Sequence, residues 1–531
     1  MEKNKLNVKK DNSVYYISLA FTLIIVLWGL LAPDNFEKVG NGVFGFLVNE
    51  FGWFYTLSMS SFVIFAIWIG FFSKYKNIRL GPDDSKPEYS NISWFAMLFS
   101  AGMGIGLVFW GAAEPLNHFM APLGAEAGTL AAQEFAVSKS FLHWGLHPWA
   151  NYSVLALALA YMQFRKNKPG LISSVFIPLF GEKIVSGWVG KMIDILAIFA
   201  TVAGVATSLG LGTYQINSGL NFLFGIPESS MVQVIIVVVV TVAFMISAIT
   251  GLDRGIKFLS NLNVGIASIL VIGAFIIGPS VYIMNIFVEG IGVYFRDLAQ
   301  NSFQLGAFGD TSWYGGWTIF YWAWWIAWAP FTGTFIARIS RGRTIKEFIT
   351  GVLLAPTLAS FIWFAVFGGM GFNLGSGVAS EAIKSTSTAF FVVMREYPAG
   401  SIISMVAILL LCTFFVTSAD SATFVLGMFS SNGDLNPDTK RKFVWGIIQS
   451  SLALSLMIGS SNGLQMLQTI SIVAAFPFAF IMLLAMVSLV KVLREDVAES
   501  ESEYVVEKLL EKASEIEIEI ETKIGVAVAA E

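Results

Sequence analysis

The sequence predicts an all-α membrane protein with twelve transmembrane helices, and three observations carry that reading. Of 531 residues, 56% are hydrophobic and only 13% are charged, where a soluble globular domain carries about 25% charged residues. The apolar residues fall in blocks of roughly 20 to 30, each long enough to cross a hydrocarbon core about 30 Å thick at about 1.5 Å per helical residue. Lys and Arg collect in every second connection between blocks, which is the asymmetry that orients membrane helices. This composition excludes a secreted protein and a nucleic-acid-binding one. The single cysteine, Cys412, forms neither an intramolecular disulfide nor a multi-cysteine metal site and reads as a small buried hydrophobe.

Residues 1–13 are a basic segment with Lys3, Lys5, Lys9 and Lys10. Blocks at 14–32 and 52–72 give two peripheral helices within 14–91. The first lacks the small-residue cleavage site of a signal peptide and reads as a retained span. Blocks at 92–117, 135–163, 187–222, 231–250 and 256–285 form a five-helix unit over 92–287. A linker with a short helix covers 288–312, and blocks at 313–337, 346–372, 400–430, 442–461 and 466–490 form a second unit over 313–494. Basic loops around Lys74–Lys86, Arg165–Lys183, Arg254–Lys257, Arg338–Lys346 and Lys440–Lys442 are expected inside. The others hold only Lys38, Lys139, Arg296, Lys384 and Arg395, which places both termini in the cytoplasm of a multi-pass protein of the cell membrane.

The first unit enters from the cytoplasm and the second from outside, so the two are expected to be inverted copies holding a ligand near the midplane between discontinuous helices. Gly102, Gly104 and Gly106 mark one break and Pro330 with Gly333 the other. The tail, 495–531, holds twelve acids against three lysines, which leaves twenty-nine bases and twenty-four acids in the rest, so the overall charge of −4 conceals a basic body. It reads as an amphipathic acidic helix, with Val505, Leu509 and Leu510 apolar and Glu507 and Glu511 beside Lys508 and Lys512.

Three motifs carry chemistry. Glycines at 102, 104 and 106 have a period of two, which no helical face shares, and each costs about 1 kcal/mol in a helix interior. They either free backbone carbonyls to meet a cation or a ligand or pack helices, since Gly102 and Gly106 also spell GxxxG. Aromatic residues concentrate in Phe141–Tyr152 and Trp317–Trp328, where Tyr321, Trp325 and Trp328 share a helical face. Ring faces suit a quaternary ammonium group, which has no N–H to donate; core packing is the alternative. Thr413–Ser421 sets Thr417, Ser418 and Asp420 inside a span. A carboxylate at that depth is a functional hypothesis. The hydroxyls either back-bond to the preceding turn or join freed carbonyls in an all-oxygen shell for a small cation. His118, His143 and His147 read as satisfied core histidines, because no accompanying carboxylate is assigned to them.

Five stretches together resemble the betaine/choline/carnitine transporters: Gly316–Trp325, Ala337–Lys346, Ala101–Gly106, His143–Trp149 and Phe415–Ser421. The resemblance runs from about residue 14 to 494. It implies two extra helices before a five-plus-five inverted repeat, usually assembled as a trimer. It also implies a substrate site of Trp144, Trp149, Tyr152 and Trp325 as an aromatic box, with Trp324 and Trp328 beside the pathway and Gly102, Gly104 and Gly106 lining it. Sodium would sit at Ser100, Met103, Phe414, Thr417 and Ser418. A second sodium would use Thr201 and Phe331, where Val205 replaces a threonine ligand. Gly106, an Asp in choline carriers of the family, points to a zwitterion. Val264 takes the position where sodium-independent members carry a base. The activity implied is import of glycine betaine, or a related trimethylammonium osmolyte, by sodium symport with alternating access, with sodium as coupling ion and no cofactor. The alternatives are a sodium-independent carnitine or betaine exchanger, a choline carrier, and, outside the family, a ligand-binding sensor or channel. No nucleophile–base pair suggests an enzyme.

Overall fold

The computed structural model describes the backbone of residues 11–102, 104–250 and 253–528, without the side chains of 100, 101, 250, 253–258, 260, 500, 503, 507 and 517–528. Among the described residues there is no strand, only an isolated bridge between Arg79 and Thr344. The main helices are α1 (Ser13–Leu31), α2 (Pro33–Ile67), α3 (Asn91–Gly102), α4 (Ile105–Met120), α5 (Leu130–Trp144), α6 (Leu146–Ala160), α7 (Trp188–Phe224) and α8 (Ser230–Thr250). They continue with α9 (Asp253–Ile277), α10 (Ser280–Phe303), α11 (Phe320–Ile339), α12 (Ile345–Asn373), α13 (Gly400–Phe429), α14 (Thr439–Ile458) and α15 (Gly463–Val528). Seven described helices are each long and apolar enough to cross a membrane.

Helix starts follow local chemistry. Pro33 opens α2, where its missing N–H is no loss. Thr344 and Glu347 form a reciprocal capping box at α12, with Glu347 N–H donating to Thr344 Oγ1 at 3.1 Å and Thr344 N–H to Glu347 Oε2 at 2.9 Å.

The apolar blocks fall on helices, with differences at several boundaries. Block 135–163 is two helices divided at Gly145, where a Cβ would lie 2.4 Å from the Phe141 carbonyl oxygen. The amide freed there, on Leu146, donates to the Tyr294 hydroxyl at 3.0 Å. The short helix expected within 288–312 is instead the 24-residue α10, which starts at Ser280 and is bent by 114° from α9, so a boundary at 287 falls inside a helix. The break expected at Pro330 and Gly333 does not occur, since α11 is continuous through both; a Cβ on Gly333 would meet Leu155 and Ala156 of α6 at 3.4 Å, an ordinary contact. The tail is helical to Val528, and it continues the helix of the last apolar block, since α15 runs unbroken through both.

Helices α6 and α11 lie along each other, pinned by Asn151 Nδ2, which donates to the Trp325 carbonyl at 2.8 Å. At the basic end of the molecule the 73–90 loop docks on the start of α12, with Leu80 N–H donating to Arg343 O and Gly342 N–H to Leu80 O, both at 2.8 Å. The Arg165 guanidinium beside Asp83 holds its carboxyl below the ordinary carboxylate range. Asp496, on α15, receives the Tyr161 hydroxyl and pairs with Arg165 and Lys166, all three just past the end of α6. Asp496→Ala removes the acceptor of the Tyr161 hydroxyl and one of the two carboxylates that meet Arg165, at a cost of about 1–3 kcal/mol. Hydrogen exchange should speed up at 161–166 and around 496 together; unchanged exchange at both would show that the clasp does not tie α15 to α6.

Candidate functional site

The site forms where the α3–α4 break meets α6 and α11. A Cβ on Gly102 would lie 2.3 Å from Cη2 of Trp149, and one on Gly106 would lie 2.5 Å from Cη2 of Trp324 and 3.1 Å from that of Trp144. Only hydrogen fits at either position. Gly104, extended at φ −147°, turns the other way, with its Cβ position 3.5 Å from Ser418 Oγ. The glycines therefore permit close approach to three neighbours at once, rather than simply packing two helices.

Trp144, Pro148, Trp149, Tyr152 and Trp325 close with Gly102 around a space of about 160 Å³, too narrow as it stands for a water-sized sphere. Trp144 meets Trp325 edge-on with centroids 4.9 Å apart, Trp149 meets Tyr152 at 5.6 Å, and Tyr152 meets Trp325 at 6.3 Å. Trp325 is held by its indole N–H, which donates to His143 O at 2.9 Å. The buried Trp149 indole nitrogen and Tyr152 hydroxyl have no protein partner, a costly state for groups out of water. Trp324 and Trp328 lie outside this space. Trp324 stacks on Trp325 at 4.8 Å, and Trp328 donates to Gly204 O of α7 at 2.8 Å.

Behind Trp144 stands a carboxylate that the sequence reading passed over. Glu114, fully buried, accepts from Trp144 Nε1 at 2.7 Å and the Tyr321 hydroxyl at 2.5 Å on one oxygen, and its other oxygen lies 2.7 Å from His143 Nδ1. His118 Nε2 is 3.4 Å away, and its ligand atom, with those of Glu114 and His143, falls within 4.8 Å of the other two. The expectation of three satisfied histidines with no carboxylate is thus corrected. His143 also meets Thr318 Oγ1 at 3.0 Å, whereas His147 stacks on Trp322 with neither ring nitrogen bonded. The signal was present as Glu114-x-x-x-His118, one helical turn inside an apolar block.

The oxygen-rich region lies on α13. Thr417 Oγ1 back-bonds to Thr413 O at 3.0 Å and lies 3.2 Å from Phe414 O. It also accepts from Asn263 Nδ2 at 2.9 Å, and Asn263 Oδ1 is buried without a partner. Asn263, rather than the half-buried Val264, is the α9 residue facing Thr417. Ser418 sits beside Gly104. These oxygens suit a hard cation. Met103 lies outside the described residues, as does the side chain of Ser100. Asp420 turns away from this group and accepts from Ser247 of α8 at 2.5 Å. At the second expected ion position the Thr201 hydroxyl donates to Ala197 O at 2.8 Å, and Val205 and Phe331 are buried.

The family model for BCCT, the betaine/carnitine/choline family transporters, matches residues 13–498. The glycine betaine transporter OpuD of Bacillus subtilis (strain 168) is 49% identical over 494 residues, covering 92% of this chain and 96% of its own. A probable glycine betaine transporter of Desulfitobacterium hafniense (strain Y51) is 46% identical, with 92% and 98% covered. An ectoine/hydroxyectoine transporter of Virgibacillus pantothenticus is 42% identical, with 95% and 100% covered.

Gly102→Val places methyls where the Trp149 ring lies and should lower tetramethylammonium binding by about ten-fold or more, the loss of one aromatic face. Quenching of intrinsic tryptophan fluorescence by the ligand measures it; native-like quenching in a normally expressed variant would remove Gly102 from the wall.

Proposed function

Because the chain belongs to the betaine/carnitine/choline family of transporters, we propose that it imports glycine betaine, or a close trimethylammonium relative, by sodium symport. The protein is a membrane transporter and not an enzyme. The observation that carries the substrate reading is the aromatic box, in which four rings from α6, α11 and the end of α5 surround one space against a bare glycine backbone. A trimethylammonium group presents methyls to ring faces that attract its charge, by about 2 kcal/mol or more when desolvated. The unpaired Trp149 N–H and Tyr152 O–H beside it are available to the carboxylate end of a zwitterion. The ectoine named for one relative is a zwitterion too, and competition between the two substrates separates them.

Support for a coupling ion comes from Phe414 O and the free Asn263 Oδ1 around Thr417, and from Ser418, the next residue, beside Gly104. A neutral amide facing Thr417 leaves that site without a resident cation from that residue, which favours symport over sodium-independent exchange. The box as it stands is too narrow for a water-sized sphere, so loading requires its walls to move, in keeping with alternating access. In the same reading the protein is a homotrimer of twelve-span subunits in the cytoplasmic membrane, each with two outer helices and two inverted five-helix units, both termini inside. Accumulated betaine would serve osmoprotection.

Uptake of labelled glycine betaine into liposomes with and without a sodium gradient tests the whole reading. Trp144→Ala and Trp325→Ala should each weaken betaine affinity by a factor in the tens, equivalent to about 2 kcal/mol. Unchanged affinity at normal protein levels would reject the box. The double change Thr417→Ala, Ser418→Ala should abolish sodium stimulation while leaving equilibrium betaine binding without sodium intact. Full uptake by the native protein in sodium-free medium would overturn symport.

A further inference from the structure

We propose that Glu114 is the fixed counter-charge of the aromatic box and determines its preference for a cationic head group. The inference rests on the box being the substrate site, and it assigns a role to a residue that does not line it.

Four polar atoms converge on the two oxygens of this carboxylate. The Trp144 indole can only donate, and it does so at 2.7 Å; the Tyr321 hydroxyl at 2.5 Å and His143 Nδ1 at 2.7 Å complete a set of short bonds, with His118 Nε2 at 3.4 Å. Glu114 is assigned the ionised form, which accepts from the Trp144 N–H, the Tyr321 hydroxyl and His143 Nδ1 together. The base nearest in sequence to His143, Lys139, lies one turn before it on α5 and is engaged elsewhere, its ammonium donating to Asn301 Oδ1 and Gln304 Oε1 at 2.8 Å each. In this assignment, with both histidines neutral, the negative charge stands at the back of the box.

Its effect reaches the ligand space by two routes. The bond to the Trp144 N–H places an anion at the edge of a ring that walls the space, and in a water-excluded interior that charge adds to the pull of the ring on a cation. His143 carries the second route, because the same residue that donates to Glu114 accepts the Trp325 indole N–H on its carbonyl at 2.9 Å. One carboxylate thus orients two of the four rings, and Glu114 is a positioning residue with an electrostatic contribution of its own.

A purely structural strut and a counter-charge differ in how they treat two ligands that share a head group. Glycine betaine carries its own carboxylate, whereas choline carries the same trimethylammonium head as a net cation. In the full-length protein, Glu114→Gln keeps the shape of the side chain and removes its charge. Betaine affinity, read by calorimetry, should fall about ten-fold or more, as expected for losing a charged hydrogen-bond partner, and choline affinity by a factor several times larger. Glu114→Asp keeps the charge and shortens the reach, so both affinities should fall while their ratio stays native. Glutamine variants with unchanged affinities, or with equal losses for the two ligands, overturn the counter-charge. If Glu114→Gln does not fold, Glu114→Asp decides: an altered ratio or unaltered affinities overturn it. Native protein that binds neither ligand refutes instead the substrate reading on which the proposal stands.

Discussion

The approach of a bare backbone to indole rings is the contact on which this site depends. At the α3–α4 break the chain leaves helical geometry, and Gly104 there is extended. Gly102 meets Trp149 of α6, Gly106 meets Trp324 of α11 and Trp144 of α5, and Gly104 meets Ser418 of α13. The period of two, unreadable on a helix, has its explanation in that segment. A methyl group at 102 or 106 would move a ring that is buried on all sides, and close-packed interiors do not absorb such a displacement locally.

Around this contact the buried polar groups divide into two populations. Glu114, Asn151, Trp325 and Trp328 are bonded within the protein and fix the framework: carboxylate to indole, amide to carbonyl, indole to carbonyl. Trp149 Nε1, Tyr152 Oη and Asn263 Oδ1 lack partners. Buried polar atoms without partners are expensive, and although others occur nearby, among them Trp324 Nε1, Asn151 Oδ1 and both His147 nitrogens, these three belong to the groups assigned to substrate and ion. The bonded population gives the site its shape, and the other gives it unused capacity.

The sequence revealed what depends on composition and short-range pattern. Apolar blocks located the helices, and the clusters at Phe141–Tyr152 and Trp317–Trp328 supplied the rings that the structure brings together. It revealed less where long-range contact decides. Gly145 breaks a block because Tyr294, far along the chain, is placed to receive the amide released there. Pro330 leaves α11 continuous, because tertiary packing against α6 and α7 overrides its local preference. Asn263 rather than its neighbour faces Thr417, a helical-phase distinction that one residue of alignment error reverses. Glu114 is a different kind of miss. A lone acid in an apolar block was legible in itself, but its partners lie 29 to 207 positions away, and only the fold shows that they converge on it.

One consequence of α15 concerns mechanics. The helix continues from Gly463 to Val528 without a break, and Asp496 clasps it to the end of the helix that carries Trp149 and Tyr152. Beyond that clasp the remaining residues extend roughly 50 Å at about 1.5 Å per residue. A rod held at Asp496 is held near its middle, with about 50 Å of helix on either side. A tilt of about 5° at the fulcrum would swing the tip by roughly 4 Å for an arm of that length, so a small rearrangement at the ring end of α6 would become a displacement on the scale of a side chain at the far end of the tail.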